Sequence, residues 1–425
     1  MSSGHSSLSE KDKCVLRQLG EWKVRASETA ENREKIKAWT EHDAGVPGAR
    51  VMVRAETWYT YDPKHTVNES DLLCENKWAR DLEKSIRLRK HEIEVLKDDN
   101  FVLPWIEYSP HICRGDFGVP SGVHRAAGVN KLAFNYQPPL KTLDDSEFKR
   151  LHHREMKWNR DDEEQEREIL EELFQGIIRV RRRIHGWQLA VPMTSTAFDF
   201  VGLDGFMMLI YDNPEGLHRL MKLIKEDQLL YIKFMEDNGL LSLNNEADYI
   251  GSGCMGCSKL LPAPDYKGKV RTKDMWFYCE SQESVSMSPE HYGEFVFPYL
   301  KELAEMFGRI YYGCCEPVDP MWKYVSTIKT LQRVSVSPWA NEEKMGKYCR
   351  ERKVVYSRKM PPPLFMAKTF NGNDDVRKSI ERTVNCAEGA RLEFILRDIY
   401  TLQNEPDRFR QWVDLVREGG KAHKG

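Results

Sequence analysis

Along this chain, short apolar, β-branched or aromatic runs alternate with longer stretches in which apolar residues recur at helical spacing. Eight runs read as strands: 49–56 (ARVMVRAE), 101–108 (FVLPWIEY), 187–194 (WQLAVPMT), 239–246 (GLLSLNNE), 309–316 (RIYYGCCE), 332–338 (QRVSVSP), 353–359 (KVVYSRK) and 391–398 (RLEFILRD). Most are continuous rather than alternating, which is the pattern of parallel strands buried on both faces. Between them lie helices with clear punctuation. Asn213-Pro214 opens one and Asn238-Gly239 closes it; Ser288-Pro289 opens another, with Pro298 predicted to kink it before Gly308; Asn373-Asp374-Asp375 opens a third, stopped by Gly389. Residues 160–186 are acidic first and basic last, the order that complements a helix dipole, and predict one long solvated helix.

Eight strands alternating with helices predict an α/β fold, a (β/α)8 TIM barrel. Its expected boundaries are an N-terminal extension over 1–45, Ser-rich and mobile for its first 30 or so residues before a helix, and a barrel over 46–425. The long interval between the second and third runs predicts an insertion at 110–160, folding as a lid over the barrel mouth and carrying His111, Arg114, His124, Arg125, Phe134 and Tyr136.

Composition narrows the function. The 425 residues carry a formal net charge of −2, and no segment keeps a strong basic excess, which argues against nucleic acid as a partner. The most apolar stretch, FDFVGLDGFMMLIYD, is interrupted by Asp199, Asp204 and Asp212, so no membrane span is expected. The N-terminus has no apolar export signal. A cytoplasmic location follows as the expectation, with ten reduced thiols rather than disulfides.

Chemistry in such barrels sits at the carboxyl ends of the strands. Those ends hold Glu56, Glu107, Thr194, Asn244, Asn245, Glu246, Cys314, Cys315, Glu316, Ser337, Arg358, Lys359, Arg397 and Asp398. Thiols and carboxylates at one point suit an open zinc site. They equally suit core thiols beside a Glu316 ion pair. Alternation along a strand lets only one of Cys314 and Cys315 face inward. Glu280 is a candidate base or ligand; Arg358 and Lys359 are candidate anchors for a substrate carboxylate; His111 and His124 are candidate proton carriers. Cys254-x-x-Cys257 lacks a second pair and reads as incidental thiols in a Gly-rich loop. No phosphate-loop, Rossmann or HExxH motif is present.

The blocks NNEADYIGSG, ESQESVSMSPEHY, RIYYGCCEPVDPMWKYV, LQRVSVSPWANEEKM and LEFILRDIYTL resemble the uroporphyrinogen decarboxylase superfamily, and within it the anaerobic branch near the cobalamin-dependent methyltransferases. The resemblance is specific from Asn244 to Trp412 and looser from Arg50 to Asn100. It implies a TIM barrel. The decarboxylases' MRQAGRY motif is replaced by MVRAETWYTYD, with Arg54 alone retained, so that porphyrinogen is not the implied substrate. The methyltransferase branch binds zinc through His-x-Cys on its fifth strand and a third ligand on its eighth. Here the cysteine stands in Tyr312-Gly313-Cys314-Cys315 without the histidine, and the eighth strand offers Glu393 and Asp398.

The resemblance thus implies transfer of a methyl group from a small O-, N- or S-methyl compound to a corrinoid (methylcobalamin/cob(I)alamin) on a partner protein, since this chain has no DxHxxG motif of its own. Zinc is the implied Lewis acid, with ligands among Glu246, Cys314, Cys315 and Asp398. Glu280, Lys359 and Arg358 are the expected catalytic groups. Asn245, Trp276, Trp58 and His111 are the expected substrate contacts, and the mouth aromatics, with Trp105 and Tyr108, suit an aromatic methyl ether. The alternative is a metal-free carboxy-lyase. A homodimer is left open.

Overall fold

The computed structural model describes residues 8–57, 67–120, 137–184, 186–190, 192–367 and 374–423, with the backbone alone at 123–124, 135–136, 186–187 and 247. The main strands are β1 (Met52–Ala55), β2 (Trp105–Tyr108), β3 (Arg179–Arg182), β4 (Glu246–Gly251), β5 (Cys254–Cys257), β6 (Trp276–Cys279), β7 (Arg309–Tyr312), β8 (Leu331–Val336), β9 (Val355–Lys359) and β10 (Leu392–Leu396). Six of them form one parallel sheet in the order β1-β10-β9-β8-β7-β6, while β2 and β3 form a separate parallel pair. Helices Pro289–Phe295 and Phe297–Ala304, Glu342–Arg352 and Asp374–Cys386 make crossovers between successive sheet strands. They explain why β6, β9 and β10 are buried at every position: one face meets helices and the other meets the interior.

The arrangement is a TIM-barrel-like α/β fold whose backbone ladder does not close among the described residues. Side chains take over at both edges of the sheet. Beside β1, the Asp99 carboxylate accepts the Val53 N–H at 2.8 Å and Asp98 accepts the Ala55 N–H at 2.8 Å. Beside β6, the Asn244 amide accepts the Trp276 N–H at 2.8 Å and donates to the Trp276 carbonyl at 2.9 Å. Each bridge satisfies strand-edge groups that would otherwise be buried without partners. Burial of Asp98 pushes its carboxyl up to about 7.

The interior is filled by a β-hairpin. Strands β4 and β5 pair antiparallel around the turn Gly251-Ser252-Gly253. Residues at or just beyond this turn touch five strands of the sheet or their ends. Arg54 donates to the Gly253 carbonyl at 2.7 Å, Tyr311 donates to the Ser252 carbonyl at 3.2 Å, and Arg333 donates to the Met255 carbonyl at 3.0 Å. Arg397 Nη1 lies 2.7 Å from Ser252 Oγ. The glycines are needed here. Gly253 has φ +83°, and a Cβ on it would lie 2.2 Å from Ile395 Cγ2; one on Gly251 would lie 2.6 Å from the Tyr278 ring.

Several expectations are corrected. Residues 187–194 are not a strand; Gly186–Leu189 and Met193 onward are helical. Residues 239–245 are irregular, and only Glu246 enters a strand, which belongs to the hairpin. The predicted helix over 160–186 ends at Leu173; Gly176 turns the chain at φ +76° and the basic residues form β3. β6 was not anticipated. Its WFYC run is short, and its edge is satisfied by a side chain rather than by sequence-local signals.

Where a mobile lead-in was expected, residues 10–27 form a helix. Helix Glu10–Ser27 is capped by Ser9 and buries Val15, Leu16 and Leu19 in a second core shared with helices Lys77–His91 and Arg160–Leu173. The anticipated break near Pro298 is present, with one helix ending at Phe295 and the next beginning at Phe297. Within 110–160, Ile112–Arg114 pairs antiparallel with Met156–Trp158; the side chains of His124, Arg125, Phe134 and Tyr136 lie outside the described residues. Among the described residues, one helix, Met193–Asp212, is long and apolar enough to cross a membrane by length and composition, but 56% of its apolar window is buried in this fold and Gly202 breaks it at φ +71°.

Candidate active site

Immediately after β7, Gly313 adopts φ +95° and the chain leaves the sheet as Cys314-Cys315-Glu316. The two sulfurs stand 3.6 Å apart. Cys314 is half-buried, and Cys315 is exposed. Around the Cys314 sulfur are Ser252 Oγ at 3.7 Å, Arg397 Nη1 at 3.9 Å and the Tyr278 hydroxyl. A hydrogen bond from Cys315, the Arg397 guanidinium and these hydroxyls favour the anion over the opposing effect of burial, and bring the Cys314 thiol down to about 5. The same thiol–thiol bond pushes the Cys315 thiol up. The shared hydrogen bond thus favours the anion on the inner sulfur over the outer one.

Two buried carboxyls flank the thiols. Glu316, 3% exposed, spends both oxygens on backbone donors: the Ser281 N–H at 3.0 Å and the Cys314 N–H at 2.9 Å. Burial, and then the Cys314 charge, push it up to about 7. Glu280, 7% exposed, accepts the Gln282 N–H at 2.7 Å. Burial, then the charges of Glu316, Glu283 and Cys314, push it well above the usual carboxylate range.

Cations complete the site. Arg397 lies between Glu56, at 3.6 Å, and Asp398, at 3.2 Å, and Glu56 is held in turn by Arg54 at 3.3 Å. Burial pushes the Asp398 carboxyl up. Lys359 ends β9 and donates to Tyr311 Oη at 2.6 Å and Ser357 Oγ at 3.2 Å. Burial, and then Arg397, lower its ammonium to about 8. From Lys359 a continuous chain of contacts runs through Tyr311, Ser252 and Arg397 to Cys314.

The structure thus brings Cys314, Cys315, Glu280, Lys359 and Asp398 to one end of the sheet and leaves the other predicted site residues elsewhere. Arg358 faces the opposite side from Lys359, as alternation requires; it donates to Ser337 O at 2.6 Å and pairs with Glu342 at 3.1 Å, joining the strand to the outer helix. Asn245 braces a loop by donating to Leu261 O at 2.7 Å. Trp276 is fully buried at the start of β6, beneath the Arg333 guanidinium. His111 is paired with Glu166 at 2.7 Å. Trp58 lies outside the described residues. Cys254 and Cys257 are both buried in the hairpin, and burial pushes the Cys254 thiol up to about 12, so this pair is inert.

Glu246 pairs with Arg181 at 2.8 Å and Arg183 at 3.4 Å. It starts β4, five extended residues from Gly251, roughly 16 Å from the turn that touches Cys314. The four-residue zinc set therefore does not assemble. Two sulfurs sharing one tetrahedral zinc stand about 3.8 Å apart, and the Cys314–Cys315 pair matches that half of a site. Among the described residues, however, no three His, Cys, Asp or Glu side chains converge to hold a metal. A guanidinium already accompanies the thiolate. The donor set present does not fit a resident zinc.

Ser252, Tyr278 and Tyr311 are site members that sequence reasoning missed. The one local signal was the GSG tripeptide, which marks a close backbone approach.

No protein-family model matches the chain, and none of the curated proteins matches it. Among the solved structures that match, a methyltransferase from Methanosarcina mazei is similar over 91% of this chain and 99% of that chain, with 12% sequence identity and a TM-score of 0.46. A likeness of that degree identifies no family.

Proposed function

We propose that the chain is a methyltransferase that moves a methyl group from a small methylated compound to a corrinoid carried by a separate protein. The observation that carries this reading is the Cys314 sulfur, 3.9 Å from Arg397 Nη1 and 3.7 Å from Ser252 Oγ at the carboxyl end of a parallel sheet, with the buried carboxyls of Glu280 and Glu316 beside it. Buried carboxyls that can supply a proton, with the Lys359 and Arg397 cations nearby, suit a displacement in which a poor leaving group must depart. The resemblance of 244–412 to corrinoid-dependent methyltransferases supports the same chemistry. Lys359 and Tyr311 orient the substrate; Arg397 sets the charge of the thiol pair. No step is assigned to zinc.

The test is incubation of purified protein with cob(I)alamin and a panel of O-, N- and S-methyl donors, reading methylcobalamin by absorbance. Formation that is lost in Cys314→Ala supports the reading; no product from any donor defeats it. Elemental analysis addresses the metal separately. About one zinc per chain, lost in Cys314→Ala, restores the zinc site.

A second reading, a carboxy-lyase, is favoured by Lys359. It is 3% exposed and, among the described residues, no carboxylate lies within ion-pair distance of its ammonium, so it is free to hold a substrate carboxylate. Release of carbon dioxide from a carboxylated substrate, lost in Lys359→Met, distinguishes it.

A further inference from the structure

Alternation along a strand sends neighbouring side chains to opposite faces, yet the sulfurs of Cys314 and Cys315 stand 3.6 Å apart. The backbone makes the exception. Gly313 ends β7 at φ +95°, so the two cysteines lie past the strand, in a turn where their thiols meet. Side chains hold that turn in place. The Cys314 N–H donates to the Glu316 carboxylate at 2.9 Å, and Ser335 Oγ donates to the Cys314 carbonyl at 2.8 Å. The pair is also open to small reagents. Cys315 is exposed and Cys314 is half-buried, whereas Cys254, Cys257, Cys279 and Cys349 are buried. Arg397 Nη1, 3.9 Å from the inner sulfur, is a cation that favours the reactive thiolate there. An accessible thiol beside a cation, with a second thiol in reach, is the arrangement that redox-sensing cysteines use.

We infer that Cys314 and Cys315 are a reversible oxidation site that closes to a disulfide between adjacent residues, with peroxide as oxidant and low-molecular-weight thiols as reductant. The inference does not depend on the methyltransferase reading above. In the forward direction the Cys314 thiolate attacks one oxygen of hydrogen peroxide. The O–O bond breaks, hydroxide leaves, and Cys314 becomes a sulfenic acid. The Cys315 thiol attacks that sulfur, the S–O bond breaks, and the oxygen departs as water with the Cys315 proton. Two electrons pass from the sulfur pair to the peroxide. In reverse, one external thiolate attacks the Cys315 sulfur and returns the S–S electron pair to Cys314; a second displaces the first as its disulfide. The closed ring is strained. Consecutive Cα atoms across a trans peptide stand ~3.8 Å apart, short of the ~4.4 Å at which ordinary disulfides begin. Ser335 also holds the carbonyl of the peptide bond that the ring must contain. Strained, exposed disulfides are the labile ones, so this one reopens where a structural disulfide persists. Closing it removes the Cys314 thiol from the site, whatever reaction the site performs.

The test is a mass measurement on the full chain. Trypsin cuts after Arg309 and Lys323 and releases Ile310–Lys323, whose cysteines are Cys314 and Cys315 alone. The protein is treated with hydrogen peroxide, remaining thiols are capped with iodoacetamide in denaturant, and the peptide is weighed. The expected peptide has lost two hydrogens and carries no cap, while the exposed Cys14 and Cys113 are still capped. Reduced glutathione added before capping is expected to restore both caps. In Cys315→Ser the resolving thiol is gone, and Cys314 is expected as a sulfenic acid trapped by dimedone. The wild-type measurement stands without that variant. Two caps after peroxide, a sulfinic acid at Cys314, a link to a second peptide, or a disulfide that resists glutathione overturns the inference. None of these outcomes bears on the methyltransferase reading, which the methyl-donor panel tests separately.

Discussion

Cys314 and Cys315 are adjacent in sequence and 3.6 Å apart at sulfur, and the Cys314 sulfur stands 3.9 Å from Arg397 Nη1. The hydrogen bond between them gives two identical side chains opposite tendencies: it favours the anion on Cys314 and disfavours it on Cys315.

Alkylation should therefore report on Cys314 alone at acidic pH. In a variant that lacks the exposed thiols Cys14 and Cys113 but keeps Cys315, the iodoacetamide rate is expected to rise through an apparent pKa near 5. Cys315→Ala and Arg397→Gln each remove an interaction that favours the thiolate. Each is expected to move that midpoint upward by at least about one unit, which is ~1.4 kcal/mol of differential stabilisation. Midpoints unchanged in both variants would show that neither group controls the thiol.

Arg358 and Lys359 are neighbours with separable roles. Arg358→Met strips the buried Glu342 of a cation 3.1 Å away and is expected to cost roughly 3 kcal/mol in urea unfolding, with activity per folded molecule retained. Lys359→Met removes a buried charge that has no carboxylate within ion-pair distance among the described residues. It is expected to leave stability within about 1 kcal/mol of wild type while abolishing substrate turnover. The reverse pattern would place Arg358 in the site.

The hairpin turn is held by its glycines. Gly253→Ala puts a methyl against Ile395 at a backbone angle that L-residues avoid, and is expected to destabilise by about 2–4 kcal/mol. Because Ser252 is next to it, the Cys314 alkylation midpoint should shift upward in the same variant. A stable Gly253→Ala protein with unchanged thiol chemistry would contradict the interior placement of the turn.

His42 couples stability to pH. Its Nε2–H donates to the Leu392 carbonyl at 2.9 Å, and burial, with Arg333 nearby, lowers its folded pKa to about 3 from an ordinary 6.5. A depressed folded pKa means that the unfolded chain binds the proton first. The contribution is complete above pH 6.5 and is lost as pH falls toward 3, at up to ~1.4 kcal/mol per unit. His42→Gln is expected to be less stable at pH 7.5 and to show a shallower decline below pH 6. An unchanged slope would assign the acid sensitivity to other groups.

Much of the sheet was legible in the chain. The runs at 309–316, 332–338, 353–359 and 391–398 are all strands of the parallel sheet, because continuous apolar runs between capped helices have few other places to be buried. Helix Pro214–Asp237 begins and ends where Asn213-Pro214 and Asn238-Gly239 place it. The first half was less legible. The run at 187–194 has the composition of a strand but lies where helices pack, and tertiary burial outweighs weak local preference.

By itself, the sequence determined that Cys314, Cys315, Lys359 and Asp398 stand at the ends of strands in one parallel sheet, because parallel crossovers align those ends. The tertiary structure decided which of these side chains meet. Alternation says that Arg358 and Lys359 face opposite ways but not which one faces in. That choice follows from Glu342 waiting on the outer helix and Tyr311 inside. Nothing local places Ser252 against Cys314 and Arg397, residues 62 and 145 positions away. That contact exists because hairpin β4–β5 fills the interior, and packing a polar turn there leaves groups that only distant strand ends can satisfy.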